Sequence, residues 1–244
     1  MSATVRLVSQ PPPKLTALAT FDEVDGAARA AARLTATGNP TLVELMDRSA
    51  VHAIDRHLNA GLTGSVGGVL LVQADNVSSA GAWFELALAG SIDLTVTDDE
   101  FEANYLVDFR RAAYPAAQTL GKVLVEDVAV PVSRLPELIA AIEHVGGSHG
   151  IDILTVAHAG DGNAHPLMVV GPGVDAEEQI WRAADAIFTA TRQLGGTVSG
   201  EHGIGRLKRK WLSSEVGPEG VQLMHRIKSA FDPLGIMNPG SLLP

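Results

Sequence analysis

Residues 153–170 read ILTVAHAGDGNAHPLMVV, and this stretch constrains the fold more than any other. Two apolar runs flank a centre of Gly160, Asp161, Gly162 and Asn163. A helix through that centre is excluded, because these residues are poor helix interior. One straight strand would put His158 and His165, seven apart, on opposite faces. A hairpin resolves both difficulties. ILTVAH runs in, GDGN turns, and HPLMVV runs out, which makes the two histidines neighbours across the pair, with roughly 5 Å between Cβ atoms.

A second glycine-rich turn, GEHGIG at residues 200–205, also follows a β-branched run, GTVS. It supplies Glu201 and His202. Two close imidazoles can share a divalent metal, and Glu201 adds a carboxylate oxygen, giving an open site of two nitrogens and one oxygen. Zinc, manganese and iron(II) all suit that ligand set. If the backbone is extended there, His202 points away from Glu201 and is free to act as a base. A single histidine in a polar turn would be read as facing water. Four such groups in two turns point to chemistry.

Around these turns, strand and helix patterns alternate. Strands are expected at Leu15–Phe21, Thr41–Met46, Gly67–Ala74, Ile92–Thr97, Val123–Val130 and Thr197–Ser199. Helices are expected at Asp22–Ala36, with Asp22 as N-cap and Gly38 as stop, at Arg48–Leu58, and at Ser79–Ala89. Glu100–Leu120 reads as helix with a break at Pro115. Leu135, Leu138, Ile139, Ile142 and Val145 form a core stripe on a helix ended by Gly146–Gly147. Asp175 and Glu178 resemble a capping box opening a helix whose buried stripe runs from Ile180 to Leu194. Pro218 opens a last helix with Val221, Met224, Ile227 and Phe231 inward. His225 on that helix reads as surface or packing. Arg206–Trp211 (RLKRKW) reads by default as a solvated helix face, the alternative being that Arg206 and Lys208 add positive potential near the site.

Together these give an α+β fold, antiparallel or mixed sheets with helices packed on them, in two related lobes. No sequence repeat supports a formal duplication. Residues 1–14, with Pro11, Pro12 and Pro13, read as an extended linker, and residues 15–244 as one domain.

The formal net charge of −10 argues against nucleic acid or an anionic membrane as the main partner. The absence of cysteine excludes disulfides, thiolate catalysis and cysteine-ligated iron–sulfur clusters within the chain. No signal peptide, spanning helix, dinucleotide fingerprint or Walker-type loop is visible. A cytoplasmic placement is expected, peripheral to a membrane only through partner subunits. Homo-oligomers are compatible with the sequence.

HAGDGNAHPLM, GGTVSGEHGIGRLK and the final FDPLGIMNPGSLLP together resemble the C-terminal domain of the FAD-linked oxidases, of the glycolate oxidase flavin subunit and D-lactate dehydrogenase type. The likeness runs from about Leu15 to the end. It implies a metal at His158, His165 and Glu201, a catalytic His202, and an arginine in LVDFRR that grips a substrate carboxylate. Alignment places that role on Arg110, whose planar fork suits a carboxylate, and leaves Arg111 as a surface residue. The NPG tail lies near the flavin in the family, which makes Asn238 a candidate cofactor contact. The implied reaction oxidises a D-2-hydroxy acid to a 2-oxo acid with FAD as electron acceptor. FAD itself is implied to sit mostly on a separate domain or subunit, so this chain alone is expected to be incomplete. The rival readings are a non-catalytic metal- and carboxylate-binding module, a partner subunit of a split flavoprotein, and, more distantly, a metal-dependent hydrolase.

Overall fold

The computed structural model describes residues 2–7, 9, 12–61, 66–75, 79–170 and 176–243. The first half of the chain carries β1 (Lys14–Phe21), α1 (Val24–Thr37), β2 (Leu42–Asp47), α2 (Arg48–Leu58), β3 (Gly68–Asp75), α3 (Ala80–Ala87) and β4 (Asp93–Thr97). Two helices, α4 (Glu100–Arg111) and α5 (Ala113–Leu120), lead into the second half. That half carries β5 (Lys122–Val125), β6 (Val128–Ala129), α6 (Leu135–His149), β7 (Asp152–His158), β8 (Asn163–Val170), α7 (Ala176–Gln193) and α8 (Leu212–Phe231).

The strands form one eight-stranded sheet in the order β4-β1-β3-β2-β7-β8-β5, with β6 also paired to β8. Every pairing is antiparallel. The two lobes appear within this order. In the first lobe the strands lie fourth-first-third-second. In the second, a bridge between Thr197 and Ala129 stands where a fourth strand would be. Taking β5 and β6 as one broken first strand, the second lobe repeats the same order. The lobes join edge to edge where β2 meets β7.

Side-chain alternation sends the two faces of the sheet to two cores. One face packs under α1, α3, α6 and α7, with Leu34, Phe84, Leu138, Ile142, Ile187 and Phe188 among its buried residues. The other packs under α2, α4 and α5, against Ile54, Phe109, Ala113 and Ala116. No helix among the described residues is long and apolar enough to cross a membrane.

Several local expectations shift. The cap of α1 is Glu23, not Asp22, and no side-chain bond is made there. The break between α4 and α5 falls at Ala112, because Pro115 is tolerated in the first turn of α5. α6 runs through Gly146 and Gly147 and stops only at Gly150, which takes the left-handed conformation (φ 62°) that glycine permits. The strand expected at Val123–Val130 is interrupted at Glu126 and Asp127. Pro166 on β8 stands opposite and has no N–H, so only the Glu126 N–H to Pro166 O bond, at 3.0 Å, is made there. Thr197–Ser199 is reduced to the single bridge. The helix after Pro218 continues from a shorter turn across a kink at Gly217, and the two are counted together as α8. Its expected inward residues Ile227 and Phe231 are exposed, since no described part of the sheet lies under them. Pro11 and Asp175, and with Asp175 the capping box, lie outside the described residues. Pro12 and Pro13 are exposed and belong to no element.

Candidate metal and substrate site

The hairpin of β7 and β8 forms, with a register two residues from the expected one. The turn is Ala159–Gly162, and Asn163 already belongs to β8. His158 stands opposite Asn163, and His165 opposite Val156. The two histidines are therefore diagonal neighbours on one face, with ring centroids 5.1 Å apart, rather than a direct pair. Gly162 makes the turn possible: its φ is +83°, and a Cβ there would lie 2.0 Å from Val130 O.

Glu201 arrives from the loop after Thr197. Its Oε1 lies 3.4 Å from His165 Nε2, 3.7 Å from His158 Nε2 and 3.3 Å from His202 Nε2. His202 does not point away from Glu201 as an extended backbone would require. Asp127 draws in the N–H groups of both Glu201 (3.1 Å) and His202 (2.9 Å), which bends the chain and turns both side chains to one side. The His202 ring stacks on His165, with centroids 5.1 Å apart and planes at 20°. Ligand atoms of His158, His165 and Glu201 all lie within 4.8 Å of one another, and His202 joins this triple from its edge through Glu201.

Two carboxylates unread in the sequence support the triple. Glu44 on β2 accepts a hydrogen bond from His158 Nδ1 at 2.7 Å, and its other oxygen pairs with Arg110 Nε at 2.8 Å. Asp127 Oδ1 is 3.9 Å from His165 Nδ1, a buried nitrogen with no hydrogen-bond partner. The Glu44 hydrogen bond pushes His158 above the ordinary histidine range. Burial, helped by the neighbouring His158, holds His165 below it, which favours the neutral, lone-pair-bearing form. Nε2 atoms converging on a carboxylate, with His158 held from behind by Glu44, suit a divalent cation such as zinc, manganese or iron(II).

A cavity of about 300 Å³ opens beside the triple. Arg110, Arg111, Tyr114, His158, His165, Glu201 and His202 line it, with Val125, Val156 and Leu167 as its apolar wall. Arg110 comes from the last turn of α4, as does Arg111, which pairs instead with Asp108 at 2.9 Å. Asn238 is elsewhere. It lines an apolar hollow beside the end of α8 with Ile227, Phe231 and Met237. Lys208, expected on a solvated face, is 6% exposed and buried behind the Glu201 loop.

The family model for "FAD linked oxidases, C-terminal domain" matches residues 10–242. The chain belongs to this family. Glycolate oxidase subunit GlcD of Bacillus subtilis is 33% identical over 251 residues, covering 98% of this chain and 53% of that protein. GlcD of Escherichia coli is 31% identical, covering 99% and 50%. The probable mitochondrial D-lactate dehydrogenase of Danio rerio is 30% identical, also covering 99% and 50%. The chain thus spans about half the length of the curated relatives it matches. Among solved structures, a 4-ethylphenol oxidase from Gulosibacter chungangensis superposes with a TM-score of 0.69 at 13% identity, over 98% of this chain and 55% of that one. At that identity it speaks for the fold alone. FAD is the family's cofactor. The cavity beside the histidines, about 300 Å³, is too small to enclose a dinucleotide.

Proposed function

We propose that this chain is the substrate- and metal-binding domain of an FAD-dependent D-2-hydroxy acid dehydrogenase of the D-lactate or glycolate type. The observation that carries the reading is the meeting, in one small cavity, of a cation triple, a guanidinium and a further imidazole. His158 and His165 hold a divalent cation through Nε2, together with Glu201. Such a cation supplies Lewis-acid polarisation of a hydroxyl. Arg110, fixed through Nε, offers the outer edge of its fork to the substrate carboxylate. His202 takes the hydroxyl proton at Nε2. Val125, Val156 and Leu167 exclude water from one side and help hold the α-carbon in place. FAD is held by another domain or a partner subunit, with Asn238 in the tail as a contact toward it. The match to the FAD-linked oxidase family favours this reading over a metal-dependent hydrolase.

The test is metal content by elemental analysis of two variants side by side. His165→Ala removes a ligand and most of the metal. His202→Ala leaves the metal in place and, with the flavin-binding part present, lowers turnover roughly 10²-fold or more. The opposite pattern of metal loss would exchange the ligand and base roles, and unchanged metal in both variants would sink the triple.

A further inference from the structure

Glu44 lies at the seam of the two lobes. β2 belongs to the first lobe and β7 to the second, and Glu44 and His158 are direct partners in their register. The sheet itself therefore delivers the carboxylate to the imidazole. The Glu44 side chain is 10% exposed, on a strand whose other residues are apolar apart from Asp47 at its end. Its two oxygens are divided: Oε1 faces His158 Nδ1 at 2.7 Å and Oε2 faces Arg110 Nε at 2.8 Å. A carboxylate accepts only, so the proton of that first bond sits on Nδ1 of His158. That leaves the lone pair on Nε2, the atom that looks toward Glu201.

We propose that Glu44 is a positioning residue that sets the cation half and the anion half of the site together. One oxygen fixes the tautomer of His158, and the other fixes the fork of Arg110. This rests on the reading of the site as one that binds a divalent cation and a 2-hydroxy acid. Burial makes the arrangement demanding, because a carboxylate removed from water needs both oxygens satisfied. Here the groups that satisfy them are the two whose orientation the site requires. Glutamine keeps the shape but has one acceptor end and one donor end. Its NH2 would meet either His158 Nδ1–H or Arg110 Nε–H, so one of the two bonds becomes a donor–donor contact. His158 can then escape to the Nε2–H tautomer, which cannot ligate a metal.

The experiment uses the 244-residue chain without flavin, so that binding is read without turnover. Zn²⁺ and Mn²⁺ affinities, and D-lactate affinity at saturating cation, are measured by calorimetry for wild type, Glu44→Gln and Arg182→Gln, Arg182 being an exposed partner of Glu178 on α7 that does not line the cavity. Glu44→Gln weakens the cation about 10–100-fold, the range for lost outer partners of metal-binding histidines, and weakens D-lactate by about 10-fold or more. Arg182→Gln moves neither. Unchanged cation affinity in Glu44→Gln, or a shift in only one of the two affinities, overturns the proposal. A second measurement needs no variant and no metal. The ¹⁵N spectrum of wild type, followed upward in pH until the His158 ring is neutral, shows its remaining proton at Nδ1. A proton at Nε2 overturns the proposal. A wild-type chain that binds no cation while showing the Nδ1–H tautomer overturns the metal reading and leaves the Glu44 assignment standing.

Discussion

Asp127 organises the site from behind the side chains that would meet a ligand. It accepts hydrogen bonds from the N–H groups of Glu201 and His202 and from the Ser199 hydroxyl at 3.3 Å. Burial alone would raise its pKa. The two backbone N–H groups, with Lys208 nearby, outweigh burial and hold it below the ordinary carboxylate value. Its contribution to stability is therefore present above the unfolded value near 3.8 and is lost as pH falls through the lower, folded one. Asp127→Asn presents an NH2 to donors that need an acceptor. We expect a loss of about 1–3 kcal/mol in urea unfolding at neutral pH, a flatter decline toward acid pH, and weaker cation binding as the Glu201 loop loosens. Unchanged stability and cation affinity would mean that the loop is held by something else. His158, His165, Glu201 and His202 were legible in the sequence because their types carry chemistry and the two turns announce themselves, whereas Arg110 was singled out only through the resemblance to the family. Glu44 and Asp127 were not, since their partners lie 114 and 75 residues away along the chain. The one signal available was an acid within an apolar strand, in TLVELM and in VLVEDVAV.

Among the elements, the broken strand β5/β6 and the Glu201 loop are tied together by Lys208. Its Nζ donates to Asp127 O at 2.7 Å and Val198 O at 2.8 Å and pairs with Glu126 at 3.2 Å. Burial raises the pKa of Glu126 even with Lys208 beside it. Glu126 therefore has the opposite sign to its neighbour Asp127: its share of stability is full below the unfolded value and falls as pH rises through the folded one. Lys208→Met keeps much of the stem but leaves the carboxylate buried without a counter-charge. The expected cost is about 3–5 kcal/mol at pH 8, shrinking at pH 5 as Glu126 takes up a proton. Denaturant melts at the two pH values check this, and an equal cost at both would show that the ion pair is not the joint. Element types were legible almost throughout, because periodicity and β-branching reflect burial directly. Boundaries failed where a partner strand decided them. The gap in β5/β6 belongs to Pro166 across the ladder, and Gly146 lies inside α6 as a close-packing position, where a Cβ would come 3.0 Å from Ile151 O, rather than as its stop.

Across the whole molecule, two lobes of like strand order make one sheet, and the candidate site sits on the face shared by α2, α4 and α5, at their seam. The lobes were legible as alternating strands and helices. Their fusion through β2 and β7 was not, because it depends on which edges meet. The same scale exposes what the chain leaves uncovered. Around the end of α8, Ile227, Phe231, Leu234, Ile236 and Met237 are all exposed, with Phe231 at 83%, and several of them line one apolar hollow. Lys228 and Asp232 also line that hollow, and the chain as a whole carries a net −10 that favours solubility. Contiguous apolar surface of this kind is rare on proteins that stay alone in water. As proposed, a flavin-binding domain or subunit covers it in a working enzyme. The chain by itself should then bind no FAD tightly, show no flavin absorption band, and reduce no dye with D-lactate or glycolate. It should also self-associate as its concentration rises, because a second copy is the only apolar cover available. Phe231→Glu should suppress that association in sedimentation velocity while leaving the cation site, which lies outside the hollow, at wild-type affinity. Steady dye reduction by the pure chain would overturn the division of labour between this chain and a flavin-binding partner. A wild type that stays monomeric at high concentration would show instead that the exposed face is tolerated without cover.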